Sequence, residues 1–507
     1  MRTLKMLSVV ALLAVVSACL DLDLKNPNAP DATSALANAD DVEALVSTGF
    51  YRSWNGWQKD HPTLMLAAAA NDAQASWGGW GAQDAGSIPR RAHDNSPTYA
   101  YERTISIPWS QQYMALSNMA DGMNALAQGT NFGGPDGPDN ARLEAWARFN
   151  QGHAHGILAM MYDQALILDE TIDLESADLG PVPYTEVMER ALEHLDDALT
   201  IAENNTFTIP GGEEGWVHGR ELTNVDLQEW IHSLKARFLA NVARTPDERQ
   251  AVDWNQVTFH AERGVQAEID GPEADGSIWW AHLPARGLPT WARTNYDIIG
   301  LHDESGEYEA WRTTPWSSRD AVTLDTPDRR IMVQGEEPES VAGRGTYQHH
   351  THSHGLTCTP FPPERGTYFQ SCYRNMRYTW DEGTMGYFLK AEGDLLIAEG
   401  HLHSNNVDAA LPYINRTRVE NGGLEPLPPG TSLEEAWANL IYESGMELQF
   451  SWTGQRHFNA RGWGHLVCGT PLHYPIPGAE LELLEIPIYT HGGTQGDYAA
   501  APHCRDR

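Results

Sequence analysis

From residue 184 onward, apolar side chains recur at Val187, Ala191, Leu195, Ala198 and Ala202, with Glu186, Glu189, Glu193, Asp196 and Asp197 between them. That spacing gathers the apolar set on one face of a 3.6-residue repeat and leaves the carboxylates on the other, which predicts an amphipathic helix. The same pattern predicts helices over 42–51, 109–127, 141–168, 227–242, 387–402, 407–419 and 433–450, the last introduced by a capping box at Ser432 and Glu435. Strand-like alternation is scarce, so the expected fold class is mainly α. Helix pairs recurring at roughly 34 residues suggest tetratricopeptide-like packing without its strict signature. Between the helices run long stretches rich in Gly, Pro, Trp and Asp, at 71–108, 203–224, 268–380 and 453–507. Disordered segments are poor in aromatics, so these are expected to be long ordered loops on a helical scaffold.

The N-terminus adds an address. Arg2 and Lys5 precede an apolar run over 7–16, then Ser17, Ala18 and Cys19. The run is shorter than the roughly 20 residues that span a membrane and has the layout of a signal peptide. The sequence Val16-Ser17-Ala18-Cys19 looks like a bacterial lipobox, in which the cysteine is acylated, for instance by palmitate, and becomes the new N-terminus. The expected organisation is a signal peptide at 1–18, an acylated tether at 19–36, and helical halves at 37–245 and 246–507 packed as one unit. The formal charge is -35, and loss of Arg2 and Lys5 with the leader takes it to about -37. Such a surface repels phosphates and anionic lipid, so nucleic acid is excluded as a partner. Four further cysteines allow three pairings in an exported protein. The local one, Cys358 with Cys372 and Cys468 with Cys504, closes the shorter loops and is the expected one, with free buried thiols as the alternative.

Three blocks in the C-terminal half carry a resemblance. The first is Glu392-Gly393-Asp394-Leu395-Leu396-Ile397-Ala398-Glu399, followed by Ala409, Ala410, Ile414, Asn415 and Arg418. The second is Glu443, Glu447, Leu448, Phe450, Gly454, Arg456, Phe458, Arg461, Trp463 and Gly464. The third is Tyr474-Pro475-Ile476-Pro477-Gly478-Ala479-Glu480. In this order and spacing they resemble the SusD/RagB-type nutrient-uptake lipoproteins. Upstream, the lipobox, Asn26-Pro27-Asn28, Tyr51-Arg52-Ser53, the helix start at Trp109 and Asp328-Arg329 fall where that family has counterparts. Ser444, Gly445, Asn459 and Glu420 depart from its pattern. The resemblance implies a helical lipoprotein on the outer face of the outer membrane, with no catalytic activity and no cofactor. Such a protein binds an oligosaccharide or peptide nutrient and caps a SusC-like TonB-dependent transporter.

Ligand contact is expected from loop aromatics, because sugar C–H faces pack on indole rings while amides, carboxylates and guanidiniums at the rim read hydroxyls. One candidate cluster holds Asp72, Gln74, Trp77 and Trp80, close after Trp54 and Trp57. A second holds Trp279, Trp280, Trp291, Arg293, Asn295 and Tyr296. The alternative for each tryptophan is a loop anchor buried against the scaffold. His349, His350, His352 and His354 invite a metal reading, but the flanking glycines favour an exposed loop, and no metal site is assigned. Glu443 and Glu447 share a helix face, as a catalytic carboxylate pair would, although salt-bridged structural roles are expected for them and for Glu392, Glu399, Arg418, Arg456 and Arg461. The rival functions are a helical carbohydrate-active enzyme and a tetratricopeptide-type interaction scaffold.

Overall fold

The computed structural model describes residues 38–59, 61–74, 79–172, 180–286, 292–315, 318–332, 345–350 and 371–493. Cys19 and its tether, Trp77, Trp291, His352, His354, Cys358 and Cys504 lie outside the described residues. The scaffold is helical, with α1 Ala39–Ser47, α2 Gly49–Trp57, α3 Thr63–Ala69, α4 Arg103–Ala127, α5 Asn140–Met161, α6 Tyr184–Asn204 and α7 Asn224–Asn241 in the first part. Then follow α8 Trp254–Ala261, α9 Glu307–Thr313, α10 Lys390–His403, α11 Val407–Glu420, α12 Leu433–Glu447 and α13 Gln455–Gly462. Neighbours in sequence pack on one another: α4 on α5, α5 on α6, α6 on α7, α7 on α8, then α10 on α11 and α11 on α12, with α8 against α10 joining the two series. The strands are two or three residues long and form antiparallel pairs. These are β1 Ala73–Gln74 with β6 Arg293–Thr294, β2 Gln164–Ala165 with β3 Val182–Pro183, β4 Thr208–Ile209 with β5 Leu222–Thr223, and β7 Gln348–His350 with β8 Tyr373–Asn375.

The apolar face of α6 is buried as its periodicity requires, with Val187, Ala191, Leu195, Ala198 and Ala202 all at 0% exposure. Helix ends differ from the sequence reading where distant chain intervenes. The helix expected over 42–51 is two helices broken at Thr48, because Gly49 sits against Met119 and Asn150 of the neighbouring helices. The helix expected to reach 168 stops at Met161, where Tyr162 turns extended and bridges to Tyr474. The helix expected from 387 starts at Lys390, because Phe388 pairs with Asp270 instead. At 450 the chain has left α12, and Phe450 takes a left-handed φ of 62°. At the start of α12, Ser432 accepts from the Glu435 amide as expected. The full reciprocal box is at Thr223 and Asp226, opening α7.

Buried ion pairs join the two parts of the chain. Arg237 on α7 binds Glu392 on α10 at 2.6 and 2.8 Å. Arg249 binds Glu399 at 2.8 Å through both oxygens, one of which also accepts from the Trp463 indole at 2.8 Å. The paired guanidinium holds the Glu399 carboxyl down at about 2 against the burial that would raise it. Arg461 donates to the carbonyls of Met160, Leu472 and Asn241. Arg330 sits among three carboxylates, bonding Glu443 at 2.7 Å, Glu447 at 2.8 Å and Asp328 at 2.6 Å, and all four side chains are at 0% exposure. Glu443 and Glu447 are thus sealed inside the fold rather than facing a cleft. Cys372 and Cys468 are both disulfide-bonded.

Close helix contact rests on small residues. A Cβ added at Gly152 on α5 would lie 2.6 Å from Leu195 Cγ and 2.8 Å from the Ala191 carbonyl oxygen, so α6 would have to move. Gly152→Ala is therefore expected to destabilise the protein by about 1–3 kcal/mol. That outcome is opposite in sign to the roughly 1 kcal/mol that alanine gains over glycine from helix propensity. Thermal unfolding reads the difference, and a raised melting temperature would show that the two helices separate freely.

Candidate functional site

The two loop clusters read separately in the sequence are one region in the structure. Pairing of β1 with β6 sets Gln74 opposite Arg293 and Ala73 opposite Thr294. On one side of this ribbon the chain enters a tight turn in which Trp80 has φ 51° and ψ 34°, followed by Gly81 at φ 65°. A left-handed conformation is uncommon for a bulky side chain and is kept only where surrounding structure enforces it. Here the turn holds the half-buried Trp80 ring 4.8 Å from the His282 ring, and Trp280, also half-buried, lies 5.8 Å from the same imidazole. Lys59 fixes this loop by donating from Nζ to the carbonyls of Ser277 and Ile278 at 3.2 and 3.0 Å, and its ammonium stands 5.8 Å from the Trp280 ring. Two half-buried indoles packed on one buried imidazole thus form a partly open aromatic surface with a cation at its edge.

The remaining candidates divide by burial. Trp54 and Trp57 are at 0% exposure: Trp54 packs on Tyr387 and Trp279, and Trp57 on Trp452 and Phe458, so both are core side chains and not ligand contacts. Trp279, at 6%, stacks on Phe50 and belongs to the same core. Asn295 is also interior, capping the turn of helix Tyr296–Ile299 through the Asp297 amide, and the Tyr296 hydroxyl donates to the Val322 carbonyl at 2.6 Å. Arg293 is 5% exposed and donates to the Ser371 carbonyl. Asp72 is buried beneath the ribbon, and its Oδ1 has no hydrogen-bond partner among the described residues. Burial lifts its carboxyl to about 7, opposed by the nearby Arg456 charge. Gln74 Oε1 likewise has no partner among the described residues.

His349 and His350 are not in an exposed loop. They lie on β7, and His350 is 1% exposed with its ring edge-on to Tyr373. Successive strand residues face opposite sides, so these two imidazoles do not converge. Among the described residues no group of three or more His, Cys, Asp or Glu side chains could hold a metal ion.

Beside the Trp80 turn lies a cavity of about 230 Å³ that the sequence reading did not single out. Its wall includes Gly81, Asp84, Arg91, His93, Asp94, Tyr99 and Tyr474. The positive φ at Gly81 is what lets helix Ala82–Ala85 turn back to form one side. Tyr99 donates to Asp84 Oδ2 at 2.7 Å, and Arg91 pairs loosely with the same carboxylate at 3.5 Å. The His93 ring stands edge-on to Tyr474 at 5.3 Å and to Tyr99 at 5.9 Å. Burial holds His93 down at about 4, against the pull of Asp94 and Asp84, so the imidazole is neutral near pH 7. Burial likewise raises the Tyr474 phenol. A sequence signal existed in the interleaving of charges and aromatics from Arg91 to Tyr101, but Tyr474 arrives from the far end of the chain.

No protein-family model and no curated protein matches this sequence. Among solved structures, a SusD superfamily protein from Bacteroides vulgatus is 13% identical over 85% of this chain and 89% of its own, with a TM-score of 0.53. A SusD superfamily protein from Parabacteroides distasonis is 11% identical over 88% and 97%, with a TM-score of 0.55. A SusD homolog from Bacteroides thetaiotaomicron is 12% identical over 89% and 97%, with a TM-score of 0.56. The fold is that of the SusD superfamily structures. Among the described residues no helix is long and apolar enough to cross a membrane.

Proposed function

We propose that this protein is a nutrient-binding lipoprotein that captures an oligosaccharide on the Trp80–Trp280 surface. It is held to the outer face of the outer membrane by lipid on Cys19, and it passes its ligand to a SusC-like TonB-dependent barrel over which it closes as a lid. The observation that carries the binding role is the pair of half-buried indoles brought to the same imidazole, His282, with Lys59 at the rim. Such a surface offers apolar faces to sugar C–H groups and a cation to hydroxyls without providing a paired acid and base. The SusD-type fold and the three C-terminal sequence blocks support the transporter partnership. Burial of Glu443 and Glu447 around Arg330 weighs against the glycosidase rival, whose two carboxyl groups must flank a bond in an open cleft. Affinity purification of the tagged, lipidated protein from its native membranes is expected to recover a TonB-dependent barrel. Recovery of the lipoprotein without any such barrel would overturn the lid assignment.

A further inference from the structure

Trp280 is half-buried between residues that are fully interior. Trp279 before it stacks on Phe50 at 6.3 Å, and His282 beyond it is at 0% exposure, its amide donating to the Gln58 carbonyl at 2.9 Å. The arch that leads in is closed by Asp275, whose Oδ1 accepts from the amides of Ser277, Ile278 and Trp279 at 2.7, 2.8 and 2.9 Å. These contacts fix the backbone on both sides of Trp280. They leave its side-chain torsions open, and only groups packed on the ring can choose among the staggered positions. Two such groups are the His282 imidazole and the Lys59 ammonium, each 5.8 Å from the indole.

What Lys59 pairs with shows how it is used. In a chain with 69 Asp and Glu residues it forms no ion pair among the described residues. It spends two of its three N–H bonds on the carbonyls of Ser277 and Ile278, at 3.2 and 3.0 Å. Both oxygens belong to the arch, so the ammonium is pinned to the loop whose indole it faces. The stem of the lysine starts from a rigid base. It follows directly on α2, where Trp57 is in the core and the Gln58 side chain bonds the Ser451 carbonyl at 3.1 Å and the Thr453 amide at 2.8 Å. A cation fixed in this way attracts the face of the indole and holds the ring against it. We infer that Lys59 is a positioning residue, which sets the orientation of Trp280 and acts on ligand through that indole more than through its own charge. The aromatic surface then has its binding shape before ligand arrives, which lowers the ordering cost of association. This deepens the glycan reading given above and rests on it.

The test is a double-mutant cycle on the full-length protein. Calorimetry with hexasaccharides of starch, xylan, mannan and galactan gives the affinities of wild type, Lys59→Met, Trp280→Ala and the variant carrying both changes. Lys59→Met keeps the apolar stem and removes the donors and the charge. It is expected to weaken binding by about fivefold to tenfold when Trp280 is present, and by about twofold or less when residue 280 is alanine, because partners that act as a unit do not add. Lys59→Arg keeps a cation and its donors and is expected to retain most of the affinity. Melting curves check that each variant is folded, and Lys59→Gln repeats the cycle where Lys59→Met is not. Equal losses in the two backgrounds would mean that Lys59 meets the ligand itself, and they overturn the positioning role. Undiminished affinity in Lys59→Met overturns it as well. Either result leaves the glycan reading standing, whereas failure of wild type to bind any of these glycans overturns both.

Discussion

Exchanging Arg330 for methionine is expected to cost about 3–5 kcal/mol of stability at pH 7.5, the largest effect of any single side chain outside the apolar core. The reason lies in what is left behind. Asp328, Glu443 and Glu447 converge on this guanidinium with no exposure to water. The second cation of the group, Arg377, reaches only Glu447, at 3.0 Å. Hydroxyls of Tyr442, Tyr347 and Thr417 donate to the three carboxylates, but they carry no charge. With Arg330 in place the group still holds, among the described residues, one more carboxylate than guanidinium, and burial already raises the Glu443 carboxyl. Without Arg330 the Glu443 carboxyl rises further and Asp328 loses the guanidinium that holds it down against burial, so the folded state takes up protons that the unfolded chain releases. Stability of the variant therefore falls as pH rises through that interval, and the loss relative to wild type shrinks toward pH 5. Urea unfolding at the two pH values reads this directly. A loss equal at both would mean that packing, and not stranded charge, carries the effect.

The second large effect concerns binding. Replacing Trp80 and Trp280 together with alanine is expected to weaken oligosaccharide affinity by about tenfold to a hundredfold, the range of central aromatic contacts in other interfaces. Each ring is only half-buried, so melting should shift far less than for a core tryptophan such as Trp54, at 0% exposure. Calorimetry with an oligosaccharide that wild type binds is the measurement, and retained affinity in the double variant removes this pair from the site. Trp77 is then the next tryptophan of the same loop to substitute.

The helices were legible because burial on one face leaves a period in the residues themselves, as along Val187 to Ala202. Where they stop was less so: Tyr162, Phe388 and Gly49 end or bend their helices by pairing with chain that is remote in sequence. The same limit governs the tryptophans. Nothing local distinguishes Trp54 from Trp80, since one is buried by Tyr387 and Trp279 arriving from elsewhere and the other is held out by a left-handed turn. The sequence proposed Trp80 and Trp280 in separate clusters, and only the β1–β6 ribbon and His282 bring them together. In the family-like blocks, Glu392 and Glu399 were readable as bridging carboxylates. Their partners Arg237 and Arg249 lie in segments with no motif to mark them.

Those two pairs also set an order of events. The chain is made from its N-terminus, so Arg237 and Arg249 emerge well before Glu392 and Glu399. Until the later segment arrives, the first half carries two guanidiniums destined for an apolar interior with no anion to receive them, and desolvating them alone is prohibitive. The early helices can form, but the layer between α7 and α10 stays open and hydrated. A chain truncated before α10 is therefore expected to leave Arg237 and Arg249 without their buried anions and the layer between α7 and α10 unpacked.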